Sequence, residues 1–240
     1  MDWTYPDVAK MIDHSLLQPM LTQAQLDEGC QLAAAYQVAS VCILPYWVSR
    51  AKAHLEGTGV HVSTTIGFPH GGHVADIKIR EAERAISDGA TELDMVVNVS
   101  AVKSGDWSLV QTDISGVLHA CRTSRARLKV IFENAYLTDD EKVRLCQICG
   151  DLGVDWVKTS TGYAPTGATA EDIKLMRTHS PAYVQVKAAG GIRTLDTLLE
   201  MRALGCTRCG ASATAAICNE ARVRLGLEEI SMADTAPSGY

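Results

Sequence analysis

Three observations predict an α/β fold, and within it a single (β/α)8 TIM barrel. Short β-rich runs alternate with longer stretches of helical periodicity, the sequence mark of a parallel sheet. The chain has 240 residues, close to the roughly 250 typical of one such barrel. Eight strand candidates fit into that length, which favours a closed barrel over an open doubly wound sheet.

In chain order the strand candidates are residues 10–14, 38–44, 60–68, 91–99, 127–133, 154–160, 183–188 and 207–211. Between them lie helical segments at 22–36, 77–88, 108–123, 138–152, 170–179 and 194–204, several opened by Ser, Thr or Asp and closed near Gly. No linker, low-complexity segment or short repeat interrupts the pattern, so residues 1–230 are expected to form one barrel domain. Residues 231–240 lack apolar periodicity and are expected to be a mobile tail ending in Tyr240.

A formal net charge of -6 and the lack of a Lys/Arg cluster argue against a nucleic-acid or membrane partner and for a small-molecule one. The first residues carry acids and no long apolar run, which predicts a cytoplasmic protein. Eight cysteines mostly sit in apolar stretches such as VASVCIL and are expected to be reduced. Two CxxC pairs, Cys146/Cys149 and Cys206/Cys209, have the spacing of zinc ligands. One pair looks helical and the other straddles a turn and a strand, so four thiolates are not expected to converge.

Barrel chemistry is carried at the C-terminal ends of the strands. Those ends are polar here: Asp13-His14-Ser15, Cys42, Gly67 to Gly71, Asp94 to Asn98, Glu133-Asn134, Lys158-Thr159-Ser160, Lys187 with Gly190-Gly191, and Gly210-Ala211-Ser212. Residues two apart on a strand share a face. Placing Leu93, Met95, Val97, Val130, Phe132, Val157, Val184 and Val186 against the helices leaves Asp94, Val96, Asn98, Lys129, Ile131, Glu133, Trp156, Lys158, Ser160, Gln185 and Lys187 facing inward. Four consecutive strands thus aim Asp94, Lys129, Lys158 and Lys187 into one lumen.

A single lysine usually snorkels to water. Three on adjacent inward positions cannot all do so, because neighbouring strands lie only about 4.8 Å apart and buried ammonium groups at that range repel each other while losing hydration. At least one should be neutral. Only a free amine attacks a carbonyl, and at a pKa of about 10.4 roughly one lysine in a few thousand is neutral at pH 7. Bringing the pKa to ~7 takes a shift worth on the order of 4–5 kcal/mol, which desolvation and a second cation can supply. A protonated imine is an electron sink, so a neighbouring C–C bond can break or form without a metal. Asp94 would then serve as acid or base, directly or through water, with Lys129 as a charge partner. Periodicity does not say which lysine is the nucleophile.

IDHSLLQP, VCILP, GFPHG, ELDMVVNV, KVIFENAYL, VKTSTG, VKAAGGIRT and RCGAS run in order across almost the whole chain. Together they resemble the deoxyribose-phosphate aldolase family of class I aldolases. The resemblance implies a lyase that reversibly cleaves 2-deoxyribose 5-phosphate to acetaldehyde and glyceraldehyde 3-phosphate, with no cofactor and no metal. It assigns the Schiff base to Lys158, depression of that amine's pKa to Lys187, and proton relay to Asp94. Thr159, Ser160, Cys42 and Asp13 fall in its substrate site. The phosphate is expected on the amides of Gly190 and Gly191 and on the turn from Gly210 to Ser212, and Gly-rich turns leading into helices also favour anions on physical grounds. Some relatives place a tail tyrosine over the barrel mouth, a role that would fall to Tyr240. The sequence departs from the family pattern at Tyr163, where some relatives carry a phosphate-reaching lysine, at Ala213 in place of a second serine, and at Ser15 in place of threonine. These departures touch the phosphate more than the chemistry.

The competing readings are a metal-dependent aldolase using His70 and His73, an aldolase for another donor or an unphosphorylated acceptor, and a non-catalytic phosphosugar-binding barrel. A homo-oligomer stays open.

Overall fold

The computed structural model describes residues 2–231. Eight parallel strands close into a barrel in sequence order, and the last pairs with the first. They are β1 (Ile12–Leu16), β2 (Ser40–Ile43), β3 (His61–Ile66), β4 (Glu92–Val96), β5 (Arg127–Ile131), β6 (Trp156–Lys158), β7 (Gln185–Ala189) and β8 (Cys206–Ala211). The helices among the described residues are α1 (Tyr5–Ala9), α2 (Gln23–Ala35), α3 (Val48–Leu55), α4 (Ala75–Ser87), α5 (Val99–Lys103), α6 (Trp107–Thr123), α7 (Asp139–Leu152), α8 (Ala170–His179), α9 (Leu195–Ala203) and α10 (Thr214–Arg224). None is long and apolar enough to cross a membrane.

Local chemistry accounts for the helix starts. Thr22 and Thr138 form capping boxes with Gln25 and Glu141, while Thr169 and Thr194 accept amide bonds from the first turns of α8 and α9; each satisfies a donor the helix leaves without a partner. Gly153 closes α7 in the left-handed conformation at φ 73°, which glycine adopts without a Cβ clash.

The division of strand faces follows the alternation. Leu93, Met95, Val97, Val130, Phe132, Val157, Val184 and Val186 belong to the hydrophobic core between sheet and helices. Val96, Ile131 and Trp156 are as deeply buried yet lie outside that core, because their faces look into the lumen. Three expected inward positions fall beyond their strands. β4 ends at Val96, so Asn98 instead caps α5 through Oδ1, 3.1 Å from the Ala101 amide. β5 ends at Ile131, and Glu133 takes a left-handed conformation at φ 60°. β6 ends at Lys158, two residues before Ser160. A period of two carries no facing information once the chain leaves the pleat.

Candidate active site

The inward face of β6 ends in Lys158, and its Nζ donates to Asp94 Oδ2 at 2.8 Å. Lys187, from β7, donates to the same oxygen at 2.7 Å and to Asp13 Oδ2 at 2.5 Å. Lys129, from β5, reaches Asp94 Oδ1 at 2.8 Å, and the Ser63 hydroxyl donates to that oxygen at 3.2 Å. β1, β4 and β7 are not neighbours in the sheet, so these side chains can meet only through the barrel interior. All are buried, with Lys158 at 2% exposed.

The three lysines differ in electrostatic setting. Burial pushes the Lys158 amine below the ordinary lysine range, and the Lys187 charge adds to this against the pull of Asp94. At Lys187 burial acts the same way, but the Asp13 and Asp94 carboxylates overcome it and hold the ammonium above that range. Asp94, Glu92 and Asp13 do likewise for Lys129. Burial opposes ionisation of Asp94, yet Lys129, Lys158 and Lys187 hold its carboxyl well below the usual range. The arrangement therefore offers one amine with lowered basicity beside two fixed ammonium groups and a carboxylate, which suits nucleophilic attack on a carbonyl.

Above Lys158 and Lys187 opens a cavity of about 310 Å³ whose walls include Asp13, Cys42, Gly190, Gly191, Gly210 and Ser212. Gly190 and Gly191 sit at φ 84° and 88°, a left-handed path that glycine takes without strain. Their amides donate to no other group among the described residues. The turn from Gly210 to Ser212 leads directly into α10, so amides and a helix N-terminus face one end of the cavity.

Residues 8–219 match the family model described as DeoC/LacD family aldolase. The chain belongs to this family. The deoxyribose-phosphate aldolase of Rhodopirellula baltica is 60% identical over 239 residues, spanning 100% of this chain and 99% of the relative. That of a Thermoanaerobacter species is 46% identical over 215 residues, 89% of this chain and 96% of the relative. A solved structure of deoxyribose phosphate aldolase from Aeropyrum pernix, described as tetrameric, superimposes with a TM-score of 0.84 at 28% identity, over 92% of this chain and 93% of that one.

Within this DeoC/LacD aldolase the other expected site residues divide. Thr159 and Ser160 do not reach the cavity wall. The Thr159 hydroxyl lies 3.2 Å from the Ala189 carbonyl and accepts from the Ala189 amide at 3.1 Å, and Ser160 donates to Thr159 at 3.0 Å. The Thr159 hydroxyl is spent on joining the end of β6 to β7, and that of Ser160 is spent on Thr159. Asp94 and Lys129 do not line the cavity; Asp94 bonds Lys158 and Lys187, and Lys129 bonds Asp94. Asp13 is on the wall, but its carboxylate is held by Lys187 and Arg208. Tyr240 lies outside the described residues.

Sequence reasoning passed over Arg193, Glu92 and Arg208, and gave no contacts for Glu133 and Tyr163. Arg193, exposed on the cavity wall, makes no ion pair among the described residues. Glu92 and Arg208 are buried below Asp94 and Asp13. Both lie on inward faces, Glu92 two residues before Asp94 and Arg208 two before Gly210, so alternation counted backwards would have found them. Glu133 accepts from the Thr161 amide at 3.1 Å and from the Thr161 hydroxyl, tying the loop after β6 to the end of β5. Tyr163, in that loop, donates to the Leu17 carbonyl at 2.8 Å and packs edge-on against Phe68 at 5.5 Å between ring centroids. It thereby links three loops over the mouth.

The sites of the metal readings are also placed. His70 and His73 are exposed, and His70 borders a separate cavity of about 110 Å³ with Glu133, Tyr136 and Tyr163. No three His, Cys, Asp or Glu side chains among the described residues are grouped to hold a metal. Cys146 and Cys149 lie in α7, and Cys206 and Cys209 both lie in β8 rather than straddling a turn. All four are free and buried. Burial pushes the Cys146 thiol up to about 11 and the Cys206 thiol up to about 12, which leaves them as small hydrophobic side chains.

Proposed function

We propose that this aldolase reversibly cleaves 2-deoxyribose 5-phosphate to acetaldehyde and glyceraldehyde 3-phosphate through a Schiff base on Lys158, with no metal. The observation that carries the reading is that Lys158, alone of the three lumen lysines, combines a place on the cavity wall with an amine pushed towards neutrality. The names of the full-length relatives support the substrate.

The neutral Lys158 Nζ attacks the aldehyde carbon of the open-chain sugar, and loss of water leaves a protonated imine. A base takes the proton from the C3 hydroxyl, the C2–C3 bond breaks, and its electron pair flows into the imine to give an enamine as glyceraldehyde 3-phosphate departs. Protonation of the enamine carbon and addition of water release acetaldehyde and restore the amine. Asp94 and Lys187 touch each other and flank Lys158, so they move these protons directly or through water. The substrate phosphate rests on the amides of Gly190 and Gly191, on the turn from Gly210 to Ser212 at the head of α10, and against the Arg193 charge. The barrel acts as one catalytic domain, working in the cytoplasm on small phosphosugars and aldehydes.

Borohydride reduction in the presence of acetaldehyde, followed by peptide mapping, tests this. An ethyl group on Lys158 is expected, with turnover unchanged in excess chelator; an adduct on Lys187 instead, or none, refutes the assignment. Tyr163 stands where a lysine would add phosphate affinity, which favours a second reading in which the acceptor need not be phosphorylated. Retro-aldol rates on 2-deoxyribose with and without its phosphate separate the two.

A further inference from the structure

The lumen charges form a closed circuit. Asp94 pairs with Lys129 at 2.8 Å, Lys129 with Glu92 at 2.6 Å, and Glu92 with Arg208 at 3.0 Å. Arg208 pairs with Asp13 at 2.5 Å, Asp13 with Lys187 at 2.5 Å, and Lys187 returns to Asp94 at 2.7 Å. Three anions alternate with three cations, so the ring is neutral with every member ionised. Lys158 is attached from outside the ring, through Asp94 Oδ2 alone at 2.8 Å. It has no counter-charge of its own. Arg127 is the one further cation on the circuit, bound to Glu92, but its side chain is 37% exposed, so water screens it.

We infer that Glu92 and Arg208, at the floor of the barrel and out of reach of substrate, are positioning residues whose opposite charges set the protonation of Lys158 through this ring. The inference rests on the Schiff-base reading of Lys158. The groups that face Lys158 are few. β4 contributes Asp94 and β7 Lys187, while β2 contributes the Cys42 thiol, kept protonated by burial; Lys129 of β5 and Asp13 of β1 stand one step further off, bound to Asp94 and to Lys187. β3 adds only the Ser63 hydroxyl, on Asp94 and Lys129, and β8 adds Arg208 from below. With the ring balanced, a proton on Lys158 would be one uncompensated charge on a side chain only 2% exposed. Removing Arg208 leaves the ring one negative charge in excess, and protonating Lys158 then restores balance. Removing Glu92 does the reverse. The Trp156 ring, with the Arg127 and Arg208 guanidinium groups 5.2 Å and the Lys129 ammonium 5.8 Å from its centre, closes the floor around these groups.

The test follows reductive trapping of Lys158 by acetaldehyde and cyanoborohydride as a function of pH, in the parent, Arg208→Gln, Arg208→Lys, Glu92→Gln and the Glu92→Gln/Arg208→Gln pair. The acid limb of trapping should move up by about one pH unit in Arg208→Gln and down in Glu92→Gln, and stay with the parent in Arg208→Lys and in the pair. A limb that stays put in Arg208→Gln, or moves as far in Arg208→Lys, overturns the inference. If Arg208→Gln does not fold, Glu92→Gln against the pair decides: equal limbs overturn it. Absence of any Lys158 adduct in the parent would instead sink the Schiff-base reading itself, so the two failures are distinct.

Discussion

Lys158→Met should abolish turnover and raise stability. The ring of alternating charges is complete without Lys158, and Asp94 keeps bonds from Lys129 at 2.8 Å, Lys187 at 2.7 Å and Ser63 at 3.2 Å, so the variant leaves no carboxylate without partners. What is lost is one hydrogen bond to a charged acceptor, about 1.5–3 kcal/mol. What is relieved is the burial of an amine that is either an unmatched charge or a base held neutral against its ordinary pKa, several kcal/mol for an ion-sized group. Methionine fills similar volume with a flexible apolar chain. The balance is a gain of about 1–2 kcal/mol at neutral pH, and at ~2–4 °C per kcal/mol for a chain of this size the melting temperature rises by about 2–8 °C. The pH dependence has a definite sign. The folded-state pKa of Lys158 lies below its unfolded value, so between the two the unfolded chain binds more protons and parent stability rises with pH. The advantage of Lys158→Met is therefore full below the folded pKa and fades as pH climbs towards about 10.4. Calorimetry across pH reads this directly, with Lys187→Met as the contrast: it opens the ring at two carboxylates and should lose about 3–5 kcal/mol. A Lys158→Met protein destabilised by more than about 1 kcal/mol, or tracking Lys187→Met, would refute the reasoning.

Gly190→Ala sets a Cβ 2.8 Å from the Gly167 Cα at φ 84°; about 1–3 kcal/mol of strain is expected, with a raised KM for the phosphorylated sugar but not for unphosphorylated 2-deoxyribose, read from paired steady-state assays. Glu133→Ala leaves the buried Thr161 donors without their carboxylate, which should cost about 1–3 kcal/mol and speed hydrogen exchange at the Thr161 amide; protection equal to the parent's would contradict the tether. Tyr163→Phe removes only the bond to the Leu17 carbonyl, so stability should fall by about 0.5–1.5 kcal/mol and KM should rise at constant kcat. Val157→Ala, fully buried in the layer between sheet and helices, should cost about 1–3 kcal/mol in denaturant titrations and leave the acid limb of Lys158 trapping unmoved.

The parts of the site that sequence made legible are those governed by the two-residue period. All eight strands were expected near where they lie, and Lys129, Lys158 and Lys187 were placed inward because valines flank them on the opposite face. Strand ends set at Val99, Glu133 and Ser160 overrun β4, β5 and β6, since side-chain polarity continues past the last ladder bond while the pleat does not. α10 gave little signal because Ala213 offers no side-chain cap, and α5 spans only 5 residues. The pairing of Lys129 with Asp94 on the adjacent strand was expected and stands at 2.8 Å, but charge pairing across the wider lumen was beyond reach. Glu92 with Arg208, and Asp13 with Lys187, are 116 and 174 residues apart, and barrel closure alone brings them together.

The same alternation explains how this barrel tolerates a charged interior. Such a lumen is ordinarily filled by layers of branched aliphatic side chains; here Asp13, Glu92, Asp94, Lys129, Lys158, Lys187 and Arg208 share it with Val96, Ile131 and Trp156. The opposite faces carry Val41, Val62, Leu93, Val130, Val157 and Val186, all in the hydrophobic core under the helices. Apolar burial outside the sheet can therefore hold the fold while the lumen is ceded to ionised groups that stabilise little on their own. Val157 and Lys158, adjacent in sequence, sit on the two sides of this division. Shortening the first should weaken the fold and spare the amine, whereas replacing the second should strengthen the fold and end the chemistry, because the barrel keeps its stability and its reactivity on opposite faces of one strand.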